Sequence, residues 1–86
     1  MAKEKVTKVI DGDTFMTSRR KIPVRLANVN APEKGQKGYG QAKKKLEKLI
    51  LNQEVRVDTV ARDKYRRAVA KVYKGRESIN NKMEKP

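Results

Sequence analysis

Arg25 and Glu33 bracket the stretch Arg25-Leu26-Ala27-Asn28-Val29-Asn30-Ala31-Pro32-Glu33. A guanidinium is planar, stays charged and can hold two phosphate oxygens at once. A carboxylate on irregular chain can take a proton from water if its surroundings bring its pKa towards neutrality. One of each, joined by a strand end, suits chemistry on a phosphate. The plainer reading is a surface arginine and a surface glutamate flanking an ordinary turn. Upstream, Asp11-Gly12-Asp13-Thr14 supplies two carboxylates and a hydroxyl; taken alone, these are turn residues. Downstream, Asp63-Lys64-Tyr65-Arg66-Arg67 supplies a second arginine, with a lysine and a tyrosine beside it. Taken alone, Arg66 and Arg67 read equally well as part of a diffuse basic surface.

The elements that must position these groups follow from periodicity. Ile22, Val24 and Leu26 alternate with Pro23, Arg25 and Ala27, the period of a strand. If those three aliphatics face a core, Arg25 points to the opposite side. Pro32 removes a donor and pushes its predecessor into extended backbone, so the strand over 22–29 breaks near Asn30-Ala31-Pro32. Earlier, 5–10 reads as a first strand and 14–17 as a second, with the Asp11-Gly12-Asp13 turn between them. The first third is therefore expected to be a three-stranded antiparallel meander. The glycine-rich run 34–40 is expected to be a solvated loop, with Lys34 and Lys37 available to phosphates and Tyr39 packing locally. In 41–51, Ala42, Leu46, Leu49 and Ile50 share one face at helical spacing and lysines cover the rest, with Asn52 as a stop. Residues 54–60 and 68–73 read as strands four and five. Ser78 is expected to cap a last short helix in which Ile79 and Met83 share a face. Five strands, with one helix between the third and fourth, is the element order of an OB-fold.

Composition narrows the class. With 86 residues, 36% hydrophobic and 38% charged, the chain is expected to form one domain over 1–86 around a thin core. Lys and Arg number 23 against 10 Asp and Glu, a net charge of +13 that points to a polyanion, nucleic acid first. An anionic membrane surface is the poorer fit, because the basic helix lacks the large aromatic residues of an interfacial helix. No apolar run approaches a transmembrane span and no signal peptide is visible. The expected location is cytoplasmic, or secreted if a leader has been removed. The chain has no cysteine and no histidine. Any general base must then be a carboxylate, lysine or tyrosine, and any metal must take oxygen ligands, which favours calcium or magnesium over zinc.

Three stretches, in order, resemble the staphylococcal nuclease (thermonuclease) family: Val9-Ile10-Asp11-Gly12-Asp13-Thr14-Phe15, Arg25-Leu26 through Asn30-Ala31-Pro32-Glu33, and Asp63-Lys64-Tyr65-Arg66-Arg67-Ala68. The resemblance runs from about Lys5 to Asn80. It implies a five-stranded OB-fold barrel with a helix between strands 3 and 4, and calcium-dependent hydrolysis of single-stranded DNA or RNA to 3′-phosphorylated products. By the same resemblance Arg25 and Arg67 bind the phosphate and Glu33 is the general base. Asp13 and the Ala31 carbonyl are calcium ligands, with Asn30 at a third ligand position. Asp11 and Thr14 stand around the metal's waters. Lys64 and Tyr65 line the substrate groove.

The sequence departs from the family pattern in three places. Asn30 stands where the family has a calcium-binding aspartate, so the site loses a full negative charge and weaker calcium binding is expected. Arg66 replaces a glycine, which matters if that position needs positive φ. The chain also ends where the family continues into two more helices, which makes it a minimal form with a shallower expected groove. The first expectation is a nuclease, impaired at its metal site. The second is a non-catalytic nucleic-acid-binding OB-fold module.

Overall fold

Alternation of apolar and polar residues draws the chain into strands wherever one face must be buried. In the computed structural model, which describes residues 3–84, β1 spans Glu4–Asp11, β2 Thr14–Thr17 and β3 Val24–Leu26. The helix α1 spans Tyr39–Ile50; β4 (Glu54–Arg62), β5 (Ala68–Lys74), β6 (Glu77–Ser78) and α2 (Ile79–Glu84) follow. β1, β2 and β3 form the expected antiparallel meander. The sheet runs in the order β3-β2-β1-β4-β5-β6, and a further parallel pairing of β3 with β5 closes it into a ring. In that closure Val24 stands opposite Ala68 and Leu26 opposite Ala70, so each buried β3 side chain at the seam meets an alanine, while Arg25 stands opposite Val69. This is the OB-fold order expected from the sequence, with the helix between the third and fourth strands. Residues 1, 2, 85 and 86 of the expected single domain over 1–86 lie outside the described residues.

Several boundaries move. β3 is three residues long because Asn28 adopts φ 61, which ends the extended run well before Asn30. Ile22 lies before the strand and is 39% exposed, so it does not join Val24 and Leu26 in the core. α1 begins two residues earlier than the lysine-rich face suggested. Gly38, in the left-handed region at φ 88, turns the chain into it. Tyr39 is therefore the first helical residue, and its hydroxyl donates to the Ile10 carbonyl at 2.9 Å, tying the helix start to the end of β1. At the other end Asn52 (φ 62) stops the helix, and its N–H donates to the Val6 carbonyl at 2.9 Å. Ser78 caps α2 as expected, accepting from the Asn81 N–H at 3.2 Å, but it also ends the two-residue β6.

The core inside the ring is Val6, Val9, Phe15, Val24, Leu26, Val29, Val55, Ala70 and Val72, closed by Leu46 and Ile50 of α1 and Ile79 of α2. It holds one aromatic ring, so the polar ties around it carry more weight than in a larger domain. One is Glu4, buried at the start of β1. It accepts two bonds from Arg20, at 2.8 and 2.9 Å, and one from the Thr17 hydroxyl at 2.8 Å. The bond from Arg20 outweighs the opposing effect of burial and holds the Glu4 carboxyl below its ordinary value of 4.5. A depressed carboxylate contributes stability above its unfolded pKa and loses it as pH falls through the folded value. The protein is therefore expected to lose urea resistance as pH drops below 4.5, and Glu4→Gln is expected to flatten that acid limb. An acid limb of unchanged slope in the variant would assign the loss to other carboxylates.

Candidate active site

Four segments converge on one polar cleft of about 290 Å³, lined by Asp11, Asp13, Arg25, Asn30, Ala31, Glu33, Gln36 and Arg67. The ring closure brings the two arginines there. Arg25 is on β3, and Arg67 immediately precedes Ala68, which pairs with Val24. Arg25 is half-buried and held through both Nη atoms. Nη1 donates to the Leu26 carbonyl at 3.2 Å; Nη2 donates to the Val29 carbonyl at 3.0 Å and to Asn30 Oδ1 at 3.1 Å. Asp13 Oδ2 lies 3.5 Å from the same Nη2. A guanidinium has five N–H donors, so these contacts fix the group without exhausting it.

The carboxylates come from the β1–β2 turn. Asp13 is buried; its Oδ1 accepts from the Thr14 hydroxyl at 2.9 Å and its Oδ2 from the Ala31 N–H at 3.3 Å. The Asp13 N–H donates to Asp11 Oδ1 at 3.1 Å, which turns both carboxyls into the same corner. Burial, then the neighbouring Asp13 carboxyl, push the Asp11 pKa above its ordinary value. Glu33 is exposed and its backbone is pinned: its N–H donates to Gln36 Oε1 at 2.7 Å and its carbonyl accepts from the Gln36 N–H at 2.9 Å.

Arg67 is held by the loop between β4 and β5. Asp63 Oδ2 accepts from Arg67 Nε at 2.6 Å, while Asp63 Oδ1 accepts the backbone N–H groups of Tyr65 and Arg67, each at 2.9 Å. Burial would raise the Asp63 pKa, but the Arg67 guanidinium and those two N–H groups outweigh it and hold the carboxyl below its ordinary value. Arg66 sits in this loop at φ 68. That position does need positive φ, and here an arginine meets the requirement. The left-handed conformation costs a side-chain-bearing residue about 1–2 kcal/mol, partly offset by the greater chain entropy a glycine loses on folding. Arg66→Gly is therefore expected to raise unfolding free energy by about 0.5–1 kcal/mol, read as a higher urea midpoint at unchanged slope. A midpoint at or below that of the parent would show that Arg66 contributes contacts worth more than its strain.

The cleft thus gathers Asp11, Asp13, Arg25, Asn30, Ala31, Glu33 and Arg67, as the sequence pattern expected. Thr14 reaches it through its bond to Asp13. Lys34, Lys37, Lys64 and Tyr65 are exposed and do not line it. Tyr65 instead stands 64% exposed, with Lys64 Nζ 5.1 Å and the Arg67 guanidinium 5.5 Å from its ring centre. Gln36 was not anticipated; its only signal is its position three residues after Glu33, the spacing at which a turn joins the two.

The donor set can be tested for a metal. Among the described residues there is no group of three His, Cys, Asp or Glu placed to hold an ion. The corner offers instead the Asp11 and Asp13 carboxylates, the Asn30 amide oxygen and the Ala31 carbonyl. These are all hard oxygen donors, which fit calcium in kind while supplying little charge. The cation nearest Asp13 and Asn30 is the Arg25 guanidinium.

An OB-fold ring with a mixed-charge polar cleft at its seam is the class that fold and geometry define. Within that class the chain belongs to the staphylococcal nuclease family: residues 23–86 match the family described as staphylococcal nuclease homologue. It is 38% identical over 84 residues to an uncharacterized endonuclease of Haemophilus influenzae, which covers 94% of this chain and 47% of that protein. It is 40% identical over 70 residues to a micrococcal nuclease of Shigella flexneri, covering 79% of this chain and 40% of that protein. An uncharacterized endonuclease of Escherichia coli O157:H7 is 39% identical over 72 residues, covering 80% and 46%. The chain spans less than half the length of these relatives.

Proposed function

We propose that this protein hydrolyses phosphodiester bonds of single-stranded DNA or RNA in the cleft between β3, the β1–β2 turn and the loop before β5. The supporting observation is the meeting there of Arg25 and Glu33 from one stretch and Arg67 from another, beside the buried Asp13. Arg25 and Arg67 hold the phosphate and offset the charge that grows on its oxygens. Each is kept in place by acceptors of its own, the Leu26 and Val29 carbonyls for Arg25 and Asp63 for Arg67, so little reorganisation is needed when the phosphate enters. Glu33 takes the proton from the attacking water, aimed by the turn that Gln36 closes. Asp13, Asn30 Oδ1 and the Ala31 carbonyl would hold a calcium ion, with Asp11 and Thr14 around its waters. Such an ion supplies positive charge at the phosphate and a more acidic bound water. Phosphate contacts dominate binding of the strand, so affinity falls steeply with salt. A second reading, a nucleic-acid-binding module without turnover, is favoured by one observation: Asn30 leaves the metal corner short of charge.

The deciding experiment is digestion of single-stranded DNA across calcium from micromolar to tens of millimolar, with an EGTA control. Cleavage that EGTA abolishes supports the nuclease; salt-sensitive binding with no cleavage at any calcium level supports the module. Asn30→Asp restores a carboxylate and is expected to tighten calcium at least tenfold, because affinity follows ligand charge. Calorimetry with calcium alone checks this, and unchanged affinity would place the ion elsewhere.

A further inference from the structure

Gly12 lies between the two aspartates of the β1–β2 turn, and its backbone does not explain why it is a glycine. Its φ is not in the left-handed region, which among the glycines only Gly35, Gly38 and Gly75 occupy. Space does explain it. A Cβ at Gly12 would stand 2.6 Å from the Ala42 Cβ of α1 and 2.7 Å from the Ala31 Cβ of the segment after β3. It would also lie 3.3 Å from the Ala42 carbonyl carbon. Both near atoms are methyls fixed directly to backbone, so no rotamer change can make room. The bond from the Ala31 N–H to Asp13 Oδ2 crosses this same junction at 3.3 Å.

We infer that Gly12 is a positioning residue for the cleft: its missing side chain lets α1 and the Ala31 segment close together on the turn, and that closure seats Asp13 against Ala31. The helix and the site segment are then packed through one point. A methyl there must push the helix away, push Ala31 away, or both, by about 0.7–0.8 Å before ordinary contact at 3.4 Å is regained. A catalytic constellation tolerates about 0.5 Å of error, and a misplacement of about 1 Å costs roughly a hundredfold in rate. The effect on cleavage rests on the nuclease reading; the effect on Ala31 does not.

The test pairs the two readouts on Gly12→Ala. Amide hydrogen exchange is followed at Ala31, with Val72, whose N–H is bonded far from the turn, as the control. Single-turnover cleavage is measured at a temperature where the variant is folded. Exchange at Ala31 is expected to speed up at least tenfold while Val72 stays protected, and the cleavage rate to fall ten- to a hundredfold. Adding Ala42→Gly opens the helix side and is expected to bring both readouts part of the way back. Ala31 exchange equal to that of the parent, or a loss shared equally by Ala31 and Val72, overturns the inference. If the single variant does not fold, Gly12→Ala/Ala42→Gly carries the test, because Ala31 still stands 2.7 Å from the new methyl. Unchanged Ala31 exchange in that folded pair is then the refuting result. A parent protein that cleaves nothing would defeat the nuclease reading, and exchange at Ala31 would still decide the role of Gly12.

Discussion

Glu33→Gln is expected to lower the cleavage rate of single-stranded DNA by about 10²–10⁴-fold, the usual contribution of a positioned general base, and to leave the dissociation constant unchanged or slightly tighter. The substitution keeps the shape of the side chain and removes its charge and its basicity. It leaves the backbone bonds that pin residue 33 to Gln36 intact, so the turn keeps its form. Glu33 is exposed, so the change leaves no buried group without a partner and stability should stay within about 0.5 kcal/mol. Loss of a negative charge from a cleft that holds Arg25 and Arg67 favours an anionic strand. The signature is therefore a drop in kcat without a rise in KM, measured beside a fluorescence-anisotropy titration with the same oligonucleotide. A variant that cuts at the parental rate would move the base elsewhere, to Asp11 or to a second water.

Asn80→Ala is expected to cost about 2–4 kcal/mol of folding free energy. Asn80 is a polar residue buried on the first turn of α2, and its side chain closes three bonds. Oδ1 accepts the Val72 N–H at 2.8 Å, and Nδ2 donates to the carbonyls of Ala27 and Ala70, both at 2.9 Å. It continues the β3–β5 pairing past the point where β3 ends, since Ala27 is the first residue beyond the strand. The Ala70 carbonyl keeps a second partner, the Ala27 N–H at 2.9 Å, when Asn80 is gone. The Val72 N–H and the Ala27 carbonyl lose the partner that Asn80 gave them, and each buried unsatisfied group costs roughly 1–3 kcal/mol. For a chain of 86 residues this corresponds to a fall in Tm of roughly 10–25 °C. Asn80→Asp retains the acceptor for Val72 but turns a charged oxygen towards two carbonyls, so it should be no better than alanine near neutral pH. Recovery of parental stability by Asn80→Asp would mean that the Val72 bond alone matters.

The contrast between these two residues shows what the sequence carried. Glu33 was legible because its neighbours, Asn30, Ala31 and Pro32, form a recognisable segment, and local order along the chain survives into the cleft. Arg25 and Arg67 were legible in the same way. Asn80 was not. Its value comes from partners just past β3 and on β5, and a single asparagine in a short helix looks like any surface residue. The meander, the helix and the order of elements along the chain followed from periodicity, whereas the ring closure did not, because alternation says which face is buried and nothing about which edge meets which. The late start expected for α1 failed for a local reason: Gly40 looked like loop, yet Gly38 had already supplied the left-handed turn. Lys34, Lys37, Lys64 and Tyr65 carry the right chemistry, but exposed side chains have no packing to direct them into the cleft.

The parallel seam between β3 and β5 also sets an order of events. Its partners are separated along the chain by all of α1 and β4, and contacts of such separation form slowly because the intervening loop must first be closed. The meander and the first carboxylates can assemble early, from neighbours in sequence. Arg67 joins Arg25 only when β5 docks on β3. Until that pairing forms, the two arginines of the cleft are held apart. On the nuclease reading, a chain whose seam is still open has only half of its phosphate clamp, so activity arrives with ring closure rather than growing as each strand folds.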